Sequence, residues 1–473
     1  MRRALDKLNE TGVYSLQQWD VYGKKEQVIP LVGGMLNVSL SVAKNESPLL
    51  KGEVMMGVYE SVFNATWNHV VEVPGDSEGI GMRVRKGKPS REWTDEEVEY
   101  FPPGTVYENE EGTSAEGMAD PQEPRAELMV LNSEKGWPYT WLMAKTMCDC
   151  HIGRETERVW RIVKRDVDEW FACRGGNDAG PGKRLLVGTP GIGKSMGTGS
   201  YLLYQLLHYD EELLAVVAYV IKDYVFIFHK ARGEEQGRVE YYKNLEGGVG
   251  AVVDLSLTVR GYIIYDVAKQ GSEPHHALPP KGWGMIVVTS PNEDNFMGWE
   301  KQRRALRIII DCPETSELNA RCVWINRDKA EKQQQKEWKV VEERIEHIGP
   351  LPRYIFCSEI EYRGRVKAVG KALTCITPSN AELYFGVNKE GSWEGQDPCH
   401  KLVKITRYSA PGEPECYCND PLAPAIGGKI RVRVGDAVDA SAVLMSLLLP
   451  FDEMVPKIME KFAVAAFLHE EFV

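Results

Sequence analysis

The sequence has no long apolar run. Its longest uncharged apolar stretch, Val443–Pro450, falls far short of the roughly 18 to 20 residues that a membrane span needs, and the opening MRRALDKLNE carries no apolar signal segment. Membrane insertion and secretion are therefore not expected. Positive charge is in deficit: 57 Lys and Arg face 69 Asp and Glu, a net charge of −12, which excludes a wholesale grip on a phosphate backbone and leaves room only for local basic faces. The ten cysteines lack the two-residue spacing of zinc knuckles and, without an export signal, read as reduced thiols of an intracellular protein. The N-x-S/T triplets at Asn9, Asn37, Asn45 and Asn64 then carry no meaning. Cys148 and Cys150 beside His151, Cys416 and Cys418, and Cys399 beside His400 would ligate a metal only if the fold gathered them. A spaced D…E-x-K acidic set is missing after residue 355, so nuclease chemistry is not expected.

What is present fits two to four domains, at roughly 100 to 200 residues per domain over the 473 residues. Residues 1–101 form an N-terminal β-rich region of unknown fold, with strand-like stretches at Gln27–Leu31, Met35–Val42 and Val54–Val58. Residues 102–130 read as an acidic flexible linker, with seven carboxylates from Glu108 on against Arg125. In the helical segment 131–181, the string RETERVWRIVKRDVDEWF places Val159, Ile162, Val163, Val167 and Trp170 on one face of a helix. Within 182–312, short β-rich runs (Arg184–Val187, Ala215–Ile221, Tyr262–Asp266, Met285–Ser290, Leu306–Asp311) alternate with helical stretches. That alternation predicts an α/β fold, a P-loop NTPase parallel sheet with helices on both faces, ornamented by a hairpin at Tyr224–His229 and Arg238–Tyr242. Residues 313–360 form a helical lid, and 361–473 a mixed α+β region with an alternating strand at Lys429–Val434. The closing KFAVAAFLHEEFV is an amphipathic run that needs a surface to pack on.

The strongest chemical signal is Gly188-Thr189-Pro190-Gly191-Ile192-Gly193-Lys194-Ser195, a G-x-x-x-x-G-K-[ST] string between the apolar strand RLLV and a helix that begins at Met196. Glycines let successive N–H groups turn inward as an anion nest, and the helix N-terminus adds its positive end. These nine positions, Gly188 to Met196, are the expected nucleotide-binding residues. Lys194 would reach the β- and γ-phosphates, and Ser195 would hold Mg²⁺. In the helix that follows, Gly197 and Gly199 permit close packing on the sheet. The buried strand Gly261–Asp266 ends in the carboxylate expected at the Mg²⁺ water shell, so the metal call is Ser195 with Asp266. Lys194, Asp266 and Ser290 are the expected catalytic set.

Other positions keep two readings. Thr289 and Ser290 stand where a γ-phosphate sensor would, or cap the turn before Pro291. Val267 occupies the position where vigorous ATPases of this class place a Glu to polarise water, which predicts slow or conditional hydrolysis. Glu273 is either its substitute or a solvated loop carboxylate. Lys301, Arg303, Arg304 and Arg307 offer a transition-state arginine, a nucleic-acid patch or a solvated helix face. Guanine-reading N-K-x-D is missing, since Asn326-Arg-Asp-Lys and Asn388-Lys-Glu-Gly lack the needed carboxylate, and ATP is the expected nucleotide.

The stretches GTPGIGKSMGTGSYLLYQLLHYD, GYIIYDVAKQG, KGWGMIVVTSPN, CVWINR and GPLPRYIF, with ERVWRIVKRDVDEWF upstream, resemble the retrotransposon hot spot proteins of trypanosomes from about Trp137 to the C-terminus. The resemblance implies a multigene family with a P-loop nucleotide-binding domain, found in and around the nucleus and associated with RNA polymerase II transcription and messenger RNA export. Family members extend past this C-terminus, so a fragment is expected. The same region resembles regulated ATPases in which Gly349-Pro-Leu-Pro352-Arg353-Tyr354 would contact adenine, although a helix stop before a strand explains the prolines equally. Two functions follow: a slow, partner-stimulated ATPase switch, or a scaffold for protein or nucleic acid that holds nucleotide structurally, using basic patches at Lys429–Arg433 or Arg363–Lys371.

Overall fold

The computed structural model describes residues 52–73, 80–98, 125–144, 146–172, 180–267, 271–377, 398–408 and 414–437, with isolated positions at 19, 22, 32, 33, 36, 37, 386, 387 and 393. The stretches Gln27–Leu31 and Met35–Val42, most of the acidic linker and the closing amphipathic run lie outside these residues, apart from positions 36 and 37.

Three sheets organise the described residues, of eight, four and three strands. Strand β1 (Glu53–Val54) is cut short because Gly57 turns left-handed at φ 68°, and Val58 then opens a helix rather than continuing a strand. Strands β2 (Thr66–Glu72), β3 (Met82–Lys86), β4 (Ala126–Asn132) and β5 (Asp149–Ile152) form an antiparallel sheet in the order β3-β2-β4-β5. The linker reading therefore extends too far, and the segment from 131 is not helical throughout. The AELMVLN string of β4 is buried on both faces, which a solvated linker cannot be.

Helix α1 (Arg154–Ala172) follows as its periodicity predicts, burying Val159, Val163 and Val167 at four-residue steps. The large sheet contains β6 (Arg184–Gly188), β7 (Val216–Ile221), β8 (Tyr224–His229), β9 (Arg238–Tyr242), β10 (Gly261–Asp266), β11 (Trp283–Thr289) and β12 (Leu306–Ile310). With β1 its order is β1-β9-β8-β7-β10-β11-β6-β12. Strands β7, β10, β11, β6 and β12 run parallel, with Ile264 between Tyr219 and Ile286. Their near-continuous apolar strings reflect burial on both faces. The sheet is mixed rather than purely parallel, because the expected hairpin β8–β9 pairs antiparallel onto β7 and β1 pairs antiparallel onto β9.

Beyond β12 come α4 (Thr315–Ile325), α5 (Glu331–Ile348), the single turn α6 (Pro352–Ile355) and α7 (Glu359–Leu373). They follow α2 (Ser200–Leu207) and α3 (Leu245–Ser256) in the core. Helix α4 lies on the antiparallel sheet, where Ala320, Val323 and Trp324 pack against Val70, Leu128 and Val130. Strand β13 (Gly386–Val387) pairs with β15 (Cys416–Pro421), which pairs antiparallel with β14 (Val403–Tyr408). The string Lys429–Val434, expected as a strand, lies in helix α8 (Pro424–Ala437). The upstream four-residue spacing of Leu422, Ile426 and Ile430, all buried, prevails over the two-residue alternation.

Candidate functional site

The loop after β6 is built by two glycines in backbone regions closed to other residues. Gly191 has φ 95° and Gly193 φ 111°. Gly188 is required for space, since a Cβ there would stand 2.4 Å from Ile310 Cγ2. The chain then winds into a wide turn with π-type bonding over Lys194–Gly199 before tightening into α2. Gly197 and Gly199 allow this turn to sit close to its neighbours. A Cβ on Gly197 would lie 3.0 Å from the His151 carbonyl, and one on Gly199 would lie 2.5 Å from Tyr219 Oη.

Lys194 is buried, and its Nζ donates to the carbonyls of Gly188 (2.6 Å) and Thr189 (2.9 Å). Burial brings its ammonium down to about 7, partly offset by Asp266. Asp266 ends β10, and burial raises its carboxyl to about 6 against the Ser195 hydrogen bond and the Lys194 charge. Its Oδ2 is buried without a hydrogen-bond partner. A hydroxyl and an uncompensated carboxylate oxygen side by side are the hard donors that Mg²⁺ takes, so the residues present fit that ion.

Strand order explains why Thr289 and Ser290 belong here. Strand β11 lies between β6 and β10, so its end falls between the loop and Asp266. Asn295, which the sequence reading passed over, bridges the two hydroxyls, donating to Thr289 Oγ1 (3.2 Å) and Ser290 Oγ (3.1 Å). Thr289 and Ser290, with Val267, border a cavity of about 750 Å³ that the Pro190–Thr198 segment also lines. The Gly349–Tyr354 element closes one side: Arg353 N donates to Gly191 O (3.2 Å), and Arg353 lines the cavity. Thr189 Oγ1 accepts from Ile405 N (3.0 Å), tying the loop to the C-terminal hairpin.

Several expected positions lie elsewhere. Glu273 accepts from Gly298 N (2.6 Å) and does not border the cavity. Arg307 grips Glu300 with two bonds (2.6 and 2.9 Å), Arg303 donates to the His276 and Leu278 carbonyls, and Arg304 closes a helix with φ 52°. None of these three arginines, nor Lys301, lines the cavity. In the Arg363–Lys371 patch, Arg363 pairs with Glu359, and Arg365 is buried against the Tyr354 ring. Among the described residues no group of three His, Cys, Asp or Glu side chains is placed to hold a metal, and no helix is long and apolar enough to cross a membrane.

The P-loop domain of the retrotransposon hot spot proteins matches residues 185–473, and the N-terminal region of the same proteins matches residues 59–181. The chain belongs to the retrotransposon hot spot protein family. No curated protein matches it. Loop, π-type turn and Asp266 thus lie in the family's P-loop domain, and the antiparallel sheet lies in its N-terminal region.

Proposed function

We propose that this retrotransposon hot spot protein binds ATP with Mg²⁺ and hydrolyses it slowly, as a switch that a partner stimulates. The observation that carries this is the buried, unpartnered Asp266 Oδ2 beside Ser195 and Lys194 at the end of a P-loop. The loop amides and Lys194 would hold the phosphates, and Ser195 and Asp266 the ion, which neutralises phosphate charge when bound. Ser290 and Thr289, fixed by Asn295, would register the terminal phosphate, and Arg353 would couple that end to the lid.

Slow turnover follows from what surrounds Asp266. Val267 is apolar, and the other cavity carboxylates among the described residues are engaged. Glu155 is bound by Arg158, Asp311 by Arg407 N (2.7 Å), Glu317 by Arg154 N (2.7 Å) and Glu361 by Ser358. We assign the output to nuclear transcription or RNA complexes, the setting the family resemblance implies. The scaffold reading makes the same contacts without turnover. Multiple-turnover hydrolysis beside Lys194→Ala and Asp266→Asn separates the two: turnover lost in both variants supports the switch, and tight binding with no turnover in the parent chain supports the scaffold.

Two further outcomes are expected. Bound nucleotide needs Asp266 ionised and Lys194 protonated, and their ligand-free values are about 6 and about 7. Mg·ATP affinity therefore peaks between these values and falls on both sides, approaching tenfold per pH unit on each limb. Calorimetric titration from pH 5 to 9 checks this, and a flat profile would remove one of the two groups from the site. Asp266→Asn stabilises the ligand-free chain. The folded carboxyl titrates above its ordinary value of 3.8, so stability falls as the pH rises from about 4 to about 6, and the full penalty is present above about 6. The gain at pH 7.5 is on the order of 2–3 kcal/mol. It vanishes near pH 4, and urea unfolding at the two pH values reads it.

A further inference from the structure

The cavity has a second end, and a guanidinium without a hydrogen-bond partner stands there. Arg321, on α4, lies over the Phe356 ring, 5.1 Å from its centroid. Its Nε is buried without a partner, and the guanidinium makes no hydrogen bond or ion pair with any described residue. The carboxylates around it are taken. Asp149 accepts from Asn132 Nδ2 (2.6 Å) and Trp324 Nε1 (2.8 Å), and Glu317, one turn before Arg321, accepts from the N–H groups of Arg154 (2.7 Å) and Glu314 (3.0 Å). His151, on β5, borders the same cavity with Nε2 buried and unpartnered. Burial, with Arg321 and Arg327 nearby, pushes its imidazole well below the ordinary value, so the ring is neutral.

Arg321 is half-buried, and leaving its buried Nε without a partner is costly. A ligand in the cavity can supply the partner. Phosphate already has its own end of the cavity, at Lys194 and the loop amides. The Gly197 approach to the His151 carbonyl places His151 one helical turn past Lys194. A nucleotide anchored by its phosphates and extending past Gly197 brings its base to the gap between β5 and α4. There it meets an obligate donor beside a neutral ring nitrogen that can accept. Adenine offers the complementary pair, a ring nitrogen next to an amino group, whereas guanine presents two adjacent acceptors in its N7 and O6.

We propose that Arg321 and His151 read the adenine base, Arg321 donating to a ring nitrogen and His151 Nε2 accepting from the exocyclic amino group. This rests on the nucleotide-binding reading of the Gly188–Ser195 loop. The residues that choose the base therefore flank the core in sequence, His151 coming from the N-terminal sheet and Arg321 from the helical region after the core.

The test uses the whole chain, three probes (ATP, GTP and inorganic tripolyphosphate, each with Mg²⁺) and the variants Arg321→Met, His151→Leu and Lys194→Ala. The expected result is a loss of roughly 10- to 100-fold in ATP affinity for Arg321→Met. Its tripolyphosphate affinity stays within about twofold, and ATP-over-GTP preference collapses in both base-site variants. Lys194→Ala loses every probe. Arg321→Met also leaves the ligand-free thermal midpoint unchanged or raised, because it gives up the Phe356 ring contact but no hydrogen bond or ion pair with a described residue, and it removes the unpaired buried Nε. His151→Leu, which keeps the charge, provides the second reading should the methionine variant misfold. Equal effects on ATP and tripolyphosphate, unchanged base preference, or a fallen ligand-free midpoint would overturn the base assignment while Lys194 dependence stands. ATP binding that ignores Lys194 would overturn the loop reading, and the base assignment with it.

Discussion

Lys194→Ala lowers Mg·ATP affinity by roughly 100- to 1,000-fold and leaves the chain folded. The magnitude comes from two charge-assisted hydrogen bonds to phosphate, each worth about 1.5–3 kcal/mol, inside a site that excludes water. The retained fold comes from what Lys194 does without ligand. Its ammonium is buried, held at about 7 by that burial, and spends its hydrogen bonds on the Gly188 and Thr189 carbonyls. Alanine forfeits those bonds and also removes the cost of burying a cation, so the two changes oppose each other. Calorimetric binding and thermal unfolding of one preparation check both halves. An affinity within tenfold of the parent would mean that the loop does not hold phosphate.

The second large effect is on stability and lies away from the loop. Arg158 is buried on α1 and donates to Glu155 (3.1 Å), Glu415 (2.6 Å) and the Ile309 carbonyl of β12. Glu415 also accepts from Ile309 N (2.7 Å), and Arg407 reaches Glu155 (3.2 Å). One cation thus joins the helix before the core, the edge strand of the large sheet and the hairpin β14–β15. Arg158→Met strips Glu415 of its counter-charge, leaves Glu155 with Arg407 alone and costs about 3–5 kcal/mol. The expected readout is a lowered urea midpoint with early proteolysis in the hairpin, whose Ile405 N–H holds Thr189 of the loop. Adding Glu415→Gln to Arg158→Met restores part of the loss, because it removes one stranded charge. A midpoint unchanged by Arg158→Met would show that the three segments hold together by apolar packing alone.

Much of this was legible beforehand, because it depends on neighbours in the chain. The G-x-x-x-x-G-K-S string specifies a loop whose geometry glycines alone permit, and the structure places Gly191 and Gly193 at positive φ. Buried parallel strands announce themselves as apolar runs, and β6, β7, β10, β11 and β12 fall where those runs lie. The four-residue spacing of α1 was similarly plain. Errors arose where a local pattern had two solutions. KIRVRV alternates as a strand does, but Leu422 and Ile426 upstream extend a helical stripe through Ile430. The β4 string AELMVLN follows directly on an acidic stretch that reads as a linker, yet its apolar content calls for the burial it has.

The sequence by itself determined the loop, its lysine, the strand that ends in Asp266 and the family likeness, since each is written in consecutive residues. Only the tertiary structure decided which distant residues surround that loop. Strand order put Ser290 and Thr289 between Lys194 and Asp266, and packing of α4 on the N-terminal sheet brought Arg321 beside His151. Arg303, Arg304 and Arg307 stayed outside the cavity. The reason is physical. Local backbone preference acts over a few residues and leaves a signature in the string. The meeting of side chains about 170 positions apart depends on which surfaces bury one another, and burial is a property of the folded whole.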